Sequence, residues 1–231
     1  MTVNQSRIKN EELRTNKTTL SITAAIFLMV IIFLSSTAAN AAGVDETVGM
    51  IQKKFAAIKD IKGSFSQKSY IKDLEETQEF SGTFFLLKPS RMMWEYNKPR
   101  DEKVVINNNE TWIHKRVRNH VIKTTFNKES YSQVPIAILQ SFENIRNDFN
   151  ITMPEENALQ LIPKRKMGFI KTLVLETGTE GFPIKTFTII DTYGNIIMIE
   201  LKDITTNPGL DASIFIFKVP KGAEVFDMNK R

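Results

Sequence analysis

The stretch Phe84-Phe85-Leu86-Leu87 restricts the fold of this chain more than any other. Successive side chains of an extended strand point to opposite faces, so this run is apolar on both. A sheet with one wet face alternates apolar and polar residues instead. A strand of this kind needs two apolar covers, drawn from another sheet, a helix or a ligand. The run that follows, Arg91 to Tyr96, places Met92, Trp94 and Tyr96 together on one face. The chain holds 16 phenylalanines and nine methionines, and such side chains make adaptable, weakly selective apolar walls.

Around this stretch the residues alternate with a period of two, broken by turn chemistry. Strands are expected at Ser64–Lys72, Glu79–Leu87, Arg91–Tyr96, Lys103–Ile106, Thr111–Lys115 and His120–Thr125. After a break they resume at Asn150–Thr152, Ala158–Pro163, Thr172–Glu176, Ile184–Asp191, Ile196–Thr205 and Ile214–Lys218. Asn107-Asn108-Asn109 and Tyr193-Gly194-Asn195 read as hairpin turns. Many short strands at near-regular spacing predict an antiparallel sandwich or barrel. Two segments depart from this pattern. Val48–Ile61 carries Met50, Ile51, Phe55, Ile58 and Ile61 at helical spacing, with Gly63 as its stop. Residues 129–147 read as short helices, with Pro135 at a first turn. One leading helix and one helical insertion predict a cap over a sheet.

The N-terminus is set apart from fold reasoning. Arg7, Lys9, Arg14 and Lys17 precede an uncharged apolar run from Leu20 to Leu34, and Ala39-Asn40-Ala41 has the pattern of a cleavage site. The run of 15 residues is short of the roughly 20 that span a bilayer core. Residues 1–41 are therefore expected to be a cleaved export signal and 42–231 a single domain. The leader's four basic and two acidic residues account for two of the five positive charges, leaving the domain at +3. That mild balance gives no ground for nucleic-acid binding. There is no cysteine, which excludes a disulfide scaffold, thiol catalysis and a lipidated N-terminal cysteine.

Little in the sequence points to catalysis. The two histidines, His114 and His120, are six residues apart, a spacing unsuited to a metal pair on one strand or helix. No nucleophile elbow, zincin motif or phosphate-binding loop occurs. Glu75-Glu76 and Glu155-Glu156 sit in turn-like segments and read as solvated carboxylates. No enzyme activity, metal or cofactor is expected.

Several segments, in order, resemble one family. Gly63-Ser64-Phe65-Ser66-Gln67 is similar to the early strand of the outer-membrane lipoprotein carriers, the LolA family. Phe80 to Tyr96, with Gly82, Pro89, Trp94 and Tyr96 in register, resembles that family's most characteristic stretch. Val105–Trp112 resembles the hairpin that follows, with Asn108-Asn109 in place of the usual Asp-Gly. Asp191–Asn195 and Phe215–Val225 are similar to its last hairpin and terminal segment. The resemblance spans nearly all of residues 47–227. It implies an incomplete antiparallel β-barrel of about 11 strands covered by a lid of short α-helices. It also implies a periplasmic carrier of acylated lipoproteins, loaded by an inner-membrane ABC-type release complex and unloaded to an outer-membrane acceptor lipoprotein. A monomer without a cofactor is expected.

Carried over position by position, the resemblance implies an acyl-chain cavity lined by Phe84, Leu86, Met92, Trp94 and Tyr96. Phe55 and Ile58 would join from the leading helix, and Ile136, Ile138 and Leu139 from the lid's underside. Many relatives have an arginine directly before the proline of the signature, holding main-chain carbonyls of the lid. Here that position is Lys88, which lacks the planar fork of donors, and Arg91 points to the opposite face. Lys88 is expected to latch the segment 133–139. Two other readings stand beside the carrier. One is a sensor of lipid or outer-membrane protein with a related fold, and the other, resting on unseen carboxylate pairs, is a hydrolase.

Overall fold

In the computed structural model the described residues are 43–126, 142, 144–178 and 181–230. A leading helix, α1 (residues 43–56), precedes a run of antiparallel strands. These are β1 (Asp60–Ile71), β2 (Glu76–Leu87), β3 (Arg91–Tyr96), β4 (Glu102–Asn107), β5 (Glu110–Lys115) and β6 (His120–Thr125). After the short helix α2 (Ile145–Asp148) come β7 (Phe149–Glu155), β8 (Ala158–Pro163), β9 (Ile170–Thr177), β10 (Ile184–Asp191), β11 (Ile196–Thr206) and β12 (Glu224–Asp227). All twelve form one sheet, in the order β12-β6-β5-β4-β3-β2-β1-β11-β10-β9-β8-β7. The ends of that order are not joined to each other, so the sheet is open, as an incomplete barrel requires. The unit Glu46–Arg231 holds every strand.

Strand register defines the two faces. Leu86 pairs with Ile61 and Met92, Phe84 with Gly63 and Trp94, and Gly82 with Phe65 and Tyr96. Residues paired in register share a face, so these side chains line one side, here called inner. The inner stripe continues across the other half of the sheet through Leu201, Ile199, Phe187, Leu175 and Leu159, all buried. Phe85, Leu87 and Met93 face the other way, along with Val105 and Trp112.

The outer apolar residues are covered by the chain's own C-terminal segment. Leu210, Ile214, Phe215 and Phe217 pack on Phe85, Leu87, Met93, Val105 and Trp112, with the Phe217 ring stacked 5.2 Å from Trp112. The strand expected at Ile214–Lys218 is therefore not one. A 3-10 turn, Ala212–Phe215, begins where the Asp211 carboxylate accepts a hydrogen bond from Ser213 N, and extended chain follows it. The segment contributes side chains to a sheet face rather than backbone to a ladder. Its start is pinned by Asp60, whose buried carboxylate accepts from Leu210 N and whose carbonyl accepts from Asn207 N at 2.8 Å. Asn207 in turn accepts from Lys59 N at 2.7 Å.

Two other boundaries differ from the sequence expectation. The leading helix ends at residue 56 rather than at Ile61, because the backbone from Asp60 onward is already paired with β2. Gly63 lies inside β1, not at a helix end. It stands where the β1–β11 register shifts between Lys62 and Ser64. The hairpin turns follow their expected chemistry, with Asn108 and Gly194 both at positive φ (57° and 87°). Of the short helices expected over residues 129–147, α2 (Ile145–Asp148) lies at the end of that range, and the segment around Pro135 lies outside the described residues.

Gly63 and Gly82 are required for space, not for φ. A Cβ on Gly82 would lie 2.0 Å from the Glu95 carbonyl oxygen and 2.7 Å from the Phe65 ring. A Cβ on Gly63 would lie 2.8 Å from the Phe84 ring and 2.9 Å from the Lys202 carbonyl oxygen. The two glycines are seats for the two rings. Gly49, at an exposed position of α1, has nothing within 4 Å of its Cβ position. Opposite outcomes are expected in chemical denaturation. Gly82→Ala should destabilise by about 3 kcal/mol, because backbone must move. Gly49→Ala should stabilise by about 0.5–1 kcal/mol through helix propensity. A Gly82→Ala protein as stable as wild type would show that the rings are not seated in this way.

Candidate functional site

The inner face of β1–β3 is an aromatic layer built by alternation. Phe65 stacks on Trp94 with centroids 3.9 Å apart and planes 22° apart, and Phe84 lies near-parallel to Trp94 at 5.8 Å. Tyr96 meets Phe65 edge-on at 5.2 Å and Phe80 at 6.1 Å. The glycines opposite Phe84 and Phe65 let these rings lie across their neighbouring strands.

Polar groups within the layer are few and mostly paired. The Tyr96 hydroxyl donates to Gln67 Oε1 at 2.9 Å, and Gln67 Nε2 donates to Ser69 Oγ at 2.8 Å. Burial pushes the Tyr96 phenol above its usual pKa, and the Arg100 guanidinium, 3.9 Å from the ring centroid, opposes that rise. Arg100 is itself held by Glu102 at 2.9 Å. The rim of the aromatic layer is thus a fixed cation–carboxylate pair.

The residues expected to line a cavity separate into three groups. Phe84, Leu86, Met92, Trp94 and Tyr96 are brought together on the inner face, and each is buried. Phe55 and Ile58 are also buried. Phe55 lies in α1 and meets Phe182 edge-on at 6.3 Å, whereas Ile58 follows the helix rather than belonging to it. Ile136, Ile138 and Leu139 lie outside the described residues.

Lys88, directly after β2, reaches the end of α1. Its Nζ donates to the Phe55 carbonyl oxygen at 2.5 Å and sits 4.1 Å from the Phe55 ring centroid. Its backbone N donates to the Lys59 carbonyl oxygen at 2.9 Å. A cation at helix C-terminal carbonyls is favourable, since those carbonyls lack intrahelical donors and carry the dipole's negative end. Lys88 therefore ties the β2–β3 turn to the leading helix. Its expected target, the segment 133–139, lies outside the described residues. Arg91 takes the opposite face, as alternation requires, and its Nε donates to Asn107 Oδ1 at 3.2 Å.

Phe65 and Gln67 were not singled out for the site by the sequence reading, yet they complete it. The signal was available in Gly63-Ser64-Phe65-Ser66-Gln67, where residues two apart share a face. Phe182 gave no such signal, being brought to Phe55 by a loop. The histidines lie elsewhere, His114 3.3 Å from Asn119 Oδ1 and His120 3.2 Å from Glu224. Among the described residues no three His, Asp or Glu side chains gather as a metal site.

Comparison with known proteins bears on this geometry. An outer-membrane lipoprotein carrier from Leptothrix cholodnii is 27% identical over 192 residues, covering 81% of this chain and 87% of its own. One from Neisseria meningitidis serogroup B is 28% identical over 171 residues, covering 71% and 79%. Among solved structures, a DUF1329 family protein from Desulfovibrio piger superposes with a TM-score of 0.50 at 12% identity, covering 77% of this chain and 97% of that one. At that identity the likeness speaks for the fold alone. The model of the family described as outer membrane lipoprotein carrier protein LolA matches residues 56–218. That span runs from the end of α1 to the segment covering the outer face, and the chain belongs to the LolA family.

Proposed function

We propose that the protein is a periplasmic carrier that holds the acyl chains of lipoproteins against the inner face of its sheet. The observation that carries this reading is the layer of Phe65, Phe84, Trp94 and Tyr96, together with Leu86 and Met92. The outer apolar face is already matched by the C-terminal segment, which leaves the inner one as the face a ligand would use. An acyl chain of about fifteen methylenes is worth roughly 12 kcal/mol against water at ~0.8 kcal/mol per CH₂. A multiply acylated protein therefore does not cross water unaided. The inner residues are covered in this conformation, so loading requires their cover to move. An inner-membrane ABC-type complex would supply cargo and an outer-membrane lipoprotein would accept it. The carrier acts as a monomer, with neither a cofactor nor covalent chemistry.

Acyl-dependent cargo is the direct test. The protein should be purified from the periplasm and its bound material identified by lipid-extract mass spectrometry and cargo proteomics. Stoichiometric, intact lipoproteins are expected. A fraction that carries no acylated protein under any condition would refute the carrier, and a deacylated product would favour a hydrolase.

Release depends on how firmly the covered state is held. In this reading Lys88 is a latch that joins α1 to the β2–β3 turn and anchors the segment 133–139. Lys88→Leu removes the donor to Phe55 O while keeping apolar bulk. It should lower stability by about 1 kcal/mol, because the Phe55 carbonyl loses its charged donor but keeps the Ile58 N–H at 3.1 Å, and change the rate of carrier-to-acceptor transfer. Unaltered transfer kinetics in this variant would remove the latch from the mechanism.

A further inference from the structure

The aromatic layer contains one polar atom that the fold leaves unanswered. Among the described residues, Trp94 Nε1 and Thr111 Oγ1 are the buried side-chain polar atoms without a hydrogen-bond partner. The chain's other tryptophan shows the contrast, because Trp112 Nε1 donates to Glu110 Oε2 at 2.8 Å. Trp94 is fully buried, and a buried N–H without an acceptor forfeits the bond it makes to water when unfolded. Its neighbour Tyr96 does not relieve this. The nearby indole N–H opposes part of the burial-driven rise in the Tyr96 pKa, behind Arg100, but by distance and angle Nε1 has no acceptor. Tyr96 donates instead to Gln67.

Thr111 lies on the same face. It pairs with Ile106, which pairs with Met92, while Trp94 pairs with Val104. Strand spacing and rise place the two residues about 12 Å apart, so a single acceptor does not serve both. Trp94 is the more informative, since a hydroxyl rotates to find a partner and an indole N–H does not.

A hydrocarbon chain has nothing to offer this donor, because methylenes accept no hydrogen bond. The acceptor that travels with an acyl chain is its own ester or amide carbonyl. Resting on the acyl-carrier reading above, we propose that Trp94 Nε1 donates a hydrogen bond to an acyl carbonyl of the cargo. The inner face thereby distinguishes acyl esters and amides from ether-linked or bare hydrocarbon chains of the same length. Trp94 is a specificity-determining residue that reads the head of the chain, while Phe84, Leu86 and Met92 take its apolar body.

The test compares two synthetic ligands with equal chains, a dipalmitoylglyceryl-cysteine peptide and its dihexadecyl ether analogue, bound to wild type and to Trp94→Phe. Wild type should bind the ester about tenfold more tightly, equivalent to about 1.4 kcal/mol. In Trp94→Phe the ratio should fall to about twofold or less, whatever the smaller ring costs both ligands alike. The same pair made as phosphatidylglycerols tells whether free phospholipid satisfies the donor or only the lipid-anchored peptide does. Equal affinities in wild type, or an ester preference that survives in Trp94→Phe, would overturn the proposal and leave the carrier reading standing. Failure of wild type to bind either ligand would remove both. A second measurement does not depend on the variant's folding. In ¹⁵N-indole-labelled protein, with the other signal assigned through Trp112→Phe, the Trp94 Nε1–H resonance should move downfield with the ester and not with the ether. An identical shift with both would overturn the assignment.

Discussion

Apolar side chains on both faces of β2 and β3 set the terms for the rest of the molecule. On the outer face Phe85, Leu87 and Met93 are matched by Leu210, Ile214, Phe215 and Phe217, so the chain's end closes over its own sheet. That segment is held at both ends, by Asp60 and Asn207 against the first strand and by β12 paired with β6. The inner face is matched differently. Phe84, Leu86, Met92 and Trp94 are as buried as any core residue, but on the face opposite the one the C-terminal segment covers. Two apolar faces of one strand pair are thus covered differently, and under the proposed function the inner one would exchange its cover for cargo.

The inner face is made of stacked rings, and its smoothness has a backbone cause. A β-sheet surface normally presents a Cβ at every inner position, which would hold Phe65 and Phe84 away from the neighbouring strands. Gly82 and Gly63 remove two of them, and the rings settle over the gaps. Phe65 then reaches Trp94 at stacking distance across β2. Planar, closely laid rings give a low, continuous wall along which an alkyl chain can lie in several registers, since such contact is non-directional. Under the proposed function, a wall of this kind would accept chains of differing length, which a set of discrete pockets would not.

Much of this was legible in residue order. The two-faced run at Phe84–Leu87 predicted two covers, and alternation placed Met92, Trp94 and Tyr96 together, as the register shows. Local chemistry also fixed the hairpins at Asn108 and Gly194. What escaped was decided over long range. Ile214–Lys218 has the composition of a strand, and whether it joins a ladder or lies across a face depends on which edge is free and on Asp60, 150 residues away. Gly63 reads locally as a helix stop, but a ring from β2 explains it better than the helix before it. Phe182 reaches Phe55 through a loop with no periodic signal at all.

Lys88 shows how the two ends of such a device can be coupled. The residue follows directly from the strand bearing Phe84 and Leu86, and its ammonium group grips the last turn of α1. A shift of the end of β2 would therefore be passed to the helix through the Lys88 hydrogen bond and its cation–ring contact. A single lysine contact of this sort contributes a little over thermal energy, whereas an acyl chain contributes several times more. The imbalance is in the right direction for a carrier. In the proposed carrier, cargo would be retained by area, which no single bond controls, while the Lys88 contact would be weak enough for a partner surface to displace. Under the proposed function, release would require that an acceptor offer the chains as much apolar area as the inner face does, once the Lys88 contact has opened.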